Sequence, residues 1–171
     1  LQIEQRRREL VGGLQEALRG APPGDLQWIA FRRLLATLSA LLPNQGMALV
    51  AFGYHQLDLL LAEPGDRSDR IRQLLAERGG NIKGICRGRT PMQLKFTESD
   101  KVIVEPGQAP PGNQVCGRFA VVPLEISKPG WGGVIIESAG EAHYSNADLQ
   151  RVAELATIAI EITDEAVSQL D

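Results

Sequence analysis

The sequence predicts an α+β domain: a central antiparallel sheet of five or six strands, with the N- and C-terminal helices packed on one face. Two observations carry this. Within residues 118–170, an apolar run through Val121-Val122-Pro123-Leu124 leads into a glycine-rich turn, a second apolar run and a long amphipathic stretch. Within residues 1–62, two helical patterns precede two short runs of strand character.

Each element has its own signal. Ile3, Leu10, Leu14 and Ala17 fall at heptad-like spacing within residues 1–19, among many charges, which describes a helix in need of a partner. Gly12-Gly13 weakens that helix by about 1 kcal/mol per glycine relative to alanine, so docking or dimerisation must hold it. Ala21-Pro22-Pro23-Gly24 ends it, and Asp25 is placed to cap a second helix running to Leu42. That helix is apolar on two sides, with Leu26, Ile29, Leu34, Leu38 and Leu41 along one and Trp28, Phe31, Leu35 and Leu42 along the other. Residues 47–53 and 57–62 read as strands joined by a turn at Tyr54-His55-Gln56. Asp66 and Asp69 open a short helix carrying Ile71, Leu74 and Leu75, which Gly79-Gly80 is expected to stop. Brief strands follow at residues 92–97 and 101–105, then a loop over residues 106–113 with three prolines and two glycines.

The C-terminal third is the most explicit. Residues 119–126 and 131–137 form a hairpin around Ser127-Lys128-Pro129-Gly130. Ser145 and Asp148 form a capping box at the start of the last helix. Leu149, Val152, Ala156, Ala159, Thr163, Ala166 and Leu170 make one apolar stripe on it, and Leu155, Ile158 and Ile162 make a second. A helix apolar on two sides needs two packing surfaces: the sheet, and another helix from this chain or a partner chain.

These segments resemble the C-terminal half of a GAF domain: Ala120-Val-Val-Pro-Leu, Trp131-Gly-Gly-Val-Ile-Ile-Glu, Tyr144-Ser-Asn-Ala-Asp-Leu and Leu155-Ala-Thr-Ile-Ala-Ile-Glu161. Gly84-Ile-Cys-Arg-Gly-Arg-Thr-Pro-Met-Gln-Leu94 resembles that family's middle element, in which a glycine-bearing segment leads through a proline into a short strand. The resemblance spans residues 26–165 and implies a GAF-like sheet in a domain that senses or dimerises. On it, residues 1–20 are an N-terminal helix for dimerisation or linkage and residues 21–171 the domain. It also implies a ligand pocket bounded by Phe52, Cys86, Phe96, Val104, Cys116 and Phe119. A homodimer is expected through Ile3, Leu10 and Leu14 with Leu155, Ile158 and Ile162.

Composition narrows the function classes. The 171 residues, 43% hydrophobic, suit one compact core. A net charge of −3, with Arg6-Arg7-Arg8 as the sole basic run, gives no footprint for nucleic acid. No stretch has the ~18 apolar residues of a membrane span, and no signal peptide opens the chain, so a soluble, cytoplasmic protein is expected. A start at Leu1 suggests a module excised from a longer polypeptide.

The reactive groups are few. Cys86 and Cys116 fit two small buried hydrophobes better than a redox pair, and two thiols fall short of the usual four ligands of a metal or cluster site. Neither is followed by His, against covalent attachment of a linear tetrapyrrole. His55 and His143 lack neighbours at metal spacing, and the glycines of residues 130–133 lead into a strand rather than a helix, against a phosphate loop. Lys95-Phe96-Thr97-Glu98 shares letters with the signature of cyclic-nucleotide-binding GAF domains without its spacing, and no cofactor is named by the residues.

The expectation is a sensory or regulatory module binding a small ligand or sensing redox state, coupled through dimeric terminal helices to an output domain such as a histidine kinase. Two alternatives stand beside it. One is a thiol enzyme like the free methionine-R-sulfoxide reductases, whose Gly-Val-Cys-Gly element Gly84-Ile85-Cys86 resembles, although Arg87 replaces the following glycine and the acidic partners of that chemistry are missing. The other is a ligand-free dimerisation module.

Overall fold

A computed structural model describes residues 2–53, 56–97, 115–127 and 130–169. The chain runs α1 (Gln2–Arg19), α2 (Leu26–Leu41), β1 (Asn44–Phe52), β2 (Leu57–Glu63), α3 (Ser68–Gly88), β3 (Met92–Phe96), β4 (Gly117–Ser127), β5 (Gly130–Ser138) and α4 (Asn146–Ser168). Among the described residues five strands form one sheet in the order β2-β1-β5-β4-β3, antiparallel throughout. The expected strand at residues 101–105, the loop at 106–113 and the turn residues Tyr54 and His55 lie outside the described residues.

Strand alternation sends successive side chains to opposite faces, and this sheet buries both. Met47 and Leu49 of β1, Ala120, Val122, Leu124 and Ile126 of β4, and Val134 and Ile136 of β5 join a core shared with α1, α2 and α4. Ala48, Val50, Val121 and Ile135 point the other way, into a second core with Ile71, Leu74, Ile82, Ile85 and Cys86 of α3. Three helices therefore form a bundle on one face, as expected for the chain ends, while α3 covers the opposite face.

The α1–α2–α4 bundle explains the doubly apolar helices. Leu10 and Leu14 of α1 are 2% and 0% exposed, Leu34, Leu35 and Leu38 of α2 are fully covered, and Leu155 of α4 is 1% exposed. The second surface each helix needed is supplied within this chain. Asp25 makes no capping hydrogen bond; it closes a 3-10 turn at Pro23–Asp25, and its carboxylate does not satisfy the first amides of α2. The capping box of α4 does form: Ser145 Oγ accepts from the Asp148 amide at 3.0 Å, and the Asp148 carboxylate accepts from the Ser145 amide at 3.2 Å.

The largest departure from expectation is α3. Gly79-Gly80 does not stop it; the helix continues to Gly88, with a break at Arg78, whose φ of −126° and ψ of 15° lie outside the helical range. Two glycines weaken a helix without ending it when apolar residues beyond them, here Ile82, Ile85 and Cys86, have a sheet to pack on. Gly84-Ile85-Cys86, expected ahead of β3 as a connecting segment, is thus helical. The chain leaves α3 through Arg89, in the left-handed conformation at φ 58°, and Pro91 precedes β3.

Gly132 and Gly133 let β5 sit between its neighbours. A Cβ on Gly132 would stand 2.0 Å from the Val50 carbonyl oxygen and 2.8 Å from Ala51 Cα, and one on Gly133 would stand 2.8 Å from the Val122 carbonyl oxygen. Backbone atoms cannot yield as a flexible side chain can. Gly132→Ala is expected to destabilise the fold by about 3 kcal/mol, the scale of strained overpacking in a core. Urea unfolding followed by circular dichroism checks this, and a loss under about 0.5 kcal/mol would contradict the close-approach account.

Candidate functional site

The α3 face of the sheet gathers most of the residues named for the pocket. Phe96, Phe119 and Cys86 are buried there, and Phe52 packs against the same cluster half-buried. The Phe96 and Phe119 ring centroids are 6.0 Å apart. Cys116 is half-buried at the entrance to β4, and its contribution is its carbonyl oxygen, which accepts from Arg70 Nη2 at 2.8 Å. Val104 lies outside the described residues.

The two thiols are not neighbours. Cys86 Sγ lies 3.3 Å from where a Cβ of Gly133 would stand, and Gly133 pairs with Pro123. Cys116 precedes Gly117 at the far end of β4, so the strand separates them by on the order of 20 Å. A disulfide requires Cα atoms within about 7 Å. An intramolecular redox pair is therefore excluded in this conformation, and Cys86 fills the role of a small buried hydrophobe.

Polar groups that the sequence reading passed over line the same face. Glu137, on β5, has a side chain only 5% exposed, and its Oε1 accepts from Arg70 Nε at 2.8 Å, with Arg67 3.8 Å away. Glu77 Oε1 accepts from the Val115 amide at 2.8 Å. Arg78, 6% exposed at the break in α3, holds its guanidinium 4.8 Å over the Phe96 ring. Arg89 stacks 4.2 Å over Trp131, so that indole anchors the C-terminal end of α3. Arg70, Glu77 and Arg78 lay within the expected helix, but their partners Glu137, Cys116, Val115 and Phe96 belong to other elements, so helical periodicity gave no signal for them. Glu137 carried one usable signal: it shares the face of Gly133 and Ile135 on a strand buried on both sides.

The dimer residues divide into two groups. Leu10, Leu14 and Leu155 are consumed by the bundle of their own chain, whereas Ile158 and Ile162 remain half-buried on α4. Ile3 lies on α1, with its side chain outside the described ones. A groove of about 400 Å³ runs between α1 and α4, lined by Glu4, Arg7, Gln150, Ala153, Glu154 and Ile158 among others. His143 is exposed and contacts Arg118 through its ring Nε2, and Arg118 also pairs with Glu141 at 2.9 Å. Among the described residues no group of three or more His, Cys, Asp or Glu is arranged to hold a metal ion, and no helix is long and apolar enough to cross a membrane.

This architecture has counterparts among solved structures. The GAF domain of a phosphoenolpyruvate-protein phosphotransferase from Coxiella burnetii superposes with a TM-score of 0.62 at 15% identity, covering 96% of each chain. The fold is that of a GAF domain. A GAF domain/HD domain protein from Geobacter sulfurreducens gives 0.58 at 15% identity over 83% of this chain and 93% of that one. The GAF domain of a two-component sensor histidine kinase from Bacillus halodurans gives 0.51 at 12% identity over 79% and 93%. No protein-family model matches the chain, and no curated protein sequence does. The fold is thus shared at 12–15% sequence identity.

Burial pushes the Cys86 thiol up to about 11, from an ordinary value of 9.0. A folded-state value above the unfolded one gives stability that is complete below pH 9 and is lost as pH rises toward 11. The loss from this thiol is about 1.4 kcal/mol per pH unit in that window. Cys86→Ala is expected to flatten the decline between pH 9 and 11 relative to wild type, read as urea midpoints across pH. Equal slopes in the two proteins would show that the thiol is already exposed to solvent in the native state.

Proposed function

We propose that this GAF domain is a sensory or regulatory module. It binds a small ligand on the α3 face of its sheet and passes occupancy through the α1–α2–α4 bundle to an output domain of the same polypeptide, such as a histidine kinase. One observation carries the reading: buried polar side chains, Arg78 and Glu137, stand on the same face as the cluster of Phe52, Phe96 and Phe119, with α3 over them. Apolar walls with a few placed polar groups suit recognition of a small molecule. The bundle lies on the other face of the same strands, so a displacement of β1, β4 or β5 on one side is felt on the other.

Two of the GAF domains whose fold this chain shares come from a sensor histidine kinase and a phosphoenolpyruvate-protein phosphotransferase, which agrees with a regulatory role. We place the homodimer contact on α4 at Ile158, which lines the α1 groove, and at Ile162, half-buried at the edge of the bundle core, because Leu10, Leu14 and Leu155 are covered within one chain. A competing reading, a dimerisation module with no ligand, draws on the contact between Phe96 and Phe119, which fill space that a ligand would otherwise take. The thiol-enzyme reading loses its resolving partner, since the cysteines are on the order of 20 Å apart along β4.

Native mass spectrometry of the chain as purified from cells, with an absorbance spectrum of the same sample, tests the ligand. A bound mass identifies its class; an apo species, unshifted in melting temperature by metabolite mixtures, overturns ligand sensing and leaves dimerisation. Sedimentation of an Ile158→Glu/Ile162→Glu variant tests the interface: a dimer in wild type and a folded monomer in the variant is expected. A monomeric wild type at high concentration removes the dimer from the proposal.

A further inference from the structure

Helix α3 is built from two unequal halves. Residues 68–77 are fastened by directional contacts: Arg70 to Glu137 and to the Cys116 carbonyl oxygen, and Glu77 to the Val115 amide. Residues 79–88 hold four glycines, and at none of them would an added Cβ meet a described atom within 4 Å. None of the four has a positive φ. Among the described residues neither close packing nor backbone conformation accounts for them. Three of them, Gly80, Gly84 and Gly88, recur every fourth residue on the exposed side, so each weakens the helix about fivefold relative to alanine without a packing gain in return. The break at Arg78 separates the halves at the one residue of α3 with a non-helical backbone.

We infer that residues 79–88 open as a unit about Arg78, uncovering the α3-face cluster while residues 68–77 and the bundle stay folded. The segment carries Ile82, Ile85 and Cys86, which wall that cluster against Ala48, Val50, Val121 and Ile135. Its far end is held by the stack of Arg89 on Trp131 and by these apolar contacts. Segments of low local stability are the ones that open sub-globally and admit ligands. That this opening serves ligand entry rests on the sensory reading above; the motion itself does not.

Cys86 is a built-in reporter, because its thiol is 0% exposed and lies within the segment. In a Cys116→Ser chain, native-state labelling of Cys86 with dithionitrobenzoate is followed at several urea concentrations well below the unfolding midpoint. The expected result is labelling faster than global unfolding allows, with little dependence on urea. The Gly80→Ala/Gly84→Ala/Gly88→Ala variant slows it by about 100-fold, three factors of about five. Leu14→Val, which loosens the bundle on the other face, leaves the rate within about twofold while lowering the global midpoint. Labelling with the full urea slope of global unfolding, or rising in step with the Leu14→Val destabilisation, or unchanged in the triple-alanine chain, overturns the inference. A chain that labels as expected but binds no ligand keeps the opening and removes the sensory reading.

Discussion

Everything in this fold depends on β5 lying in the middle of the sheet with both of its faces covered. The strand contributes Val134 and Ile136 to the helical bundle and Ile135 to the α3 side, and all three are 0% exposed. Its partners approach closely enough that Gly132 and Gly133 are the residues that fit, since a side chain at either would strike the backbone of a neighbouring strand. One strand thus sets the thickness of two cores. The helices on either side are placed by what β5 and its neighbours offer, more than by their own propensities, which α1 and α3 show most plainly with their internal glycines.

The same strand organises the electrostatics of the α3 face. Its sheet-facing series Trp131, Gly133, Ile135 and Glu137 meets the helix from end to end: Arg89 over the indole, Cys86 beside Gly133, and Arg70 on the carboxylate. A carboxylate as buried as Glu137 is tolerated because a guanidinium donates to it directly, and removing Arg70 would leave that buried charge without its hydrogen-bonded partner. The ion pair therefore fixes where α3 begins on the sheet, and the register of everything after it follows.

Sequence pattern was sufficient where periodicity and local chemistry agreed. The β4–β5 hairpin, the Ser145–Asp148 box and the stripes of α4 are local signals, and each is found where the residues indicate. Local signals misled where tertiary contacts compete with them. Gly79-Gly80 reads as a stop only if nothing beyond it packs, and Ile82, Ile85 and Cys86 do pack. The heptad-like spacing of Leu10 and Leu14 states that α1 needs a partner but cannot say whose helix it is; α2 and α4 of the same chain supply it. Of the pocket residues, the aromatic ones were legible as apolar positions of known parity on strands. The polar ones were not, because a burial site for Arg78 or Glu137 exists only once α3 lies across the sheet.

On the proposed sensory reading, the route across the domain runs through the strands that both cores share. The two cores share no helix, but they share every strand of β1, β4 and β5, whose alternate side chains belong to opposite faces. Packed interiors transmit displacement because they have few voids to absorb it. A change in how the C-terminal half of α3 seats on Val121 and Ile135 therefore bears directly on Val122, Val134 and Ile136, and through them on α4, while the anchored half at Arg70 holds its register. The division of α3 into a fastened half and a glycine-rich half matters for this reason: it lets one end of the helix respond while the other keeps the sheet in place.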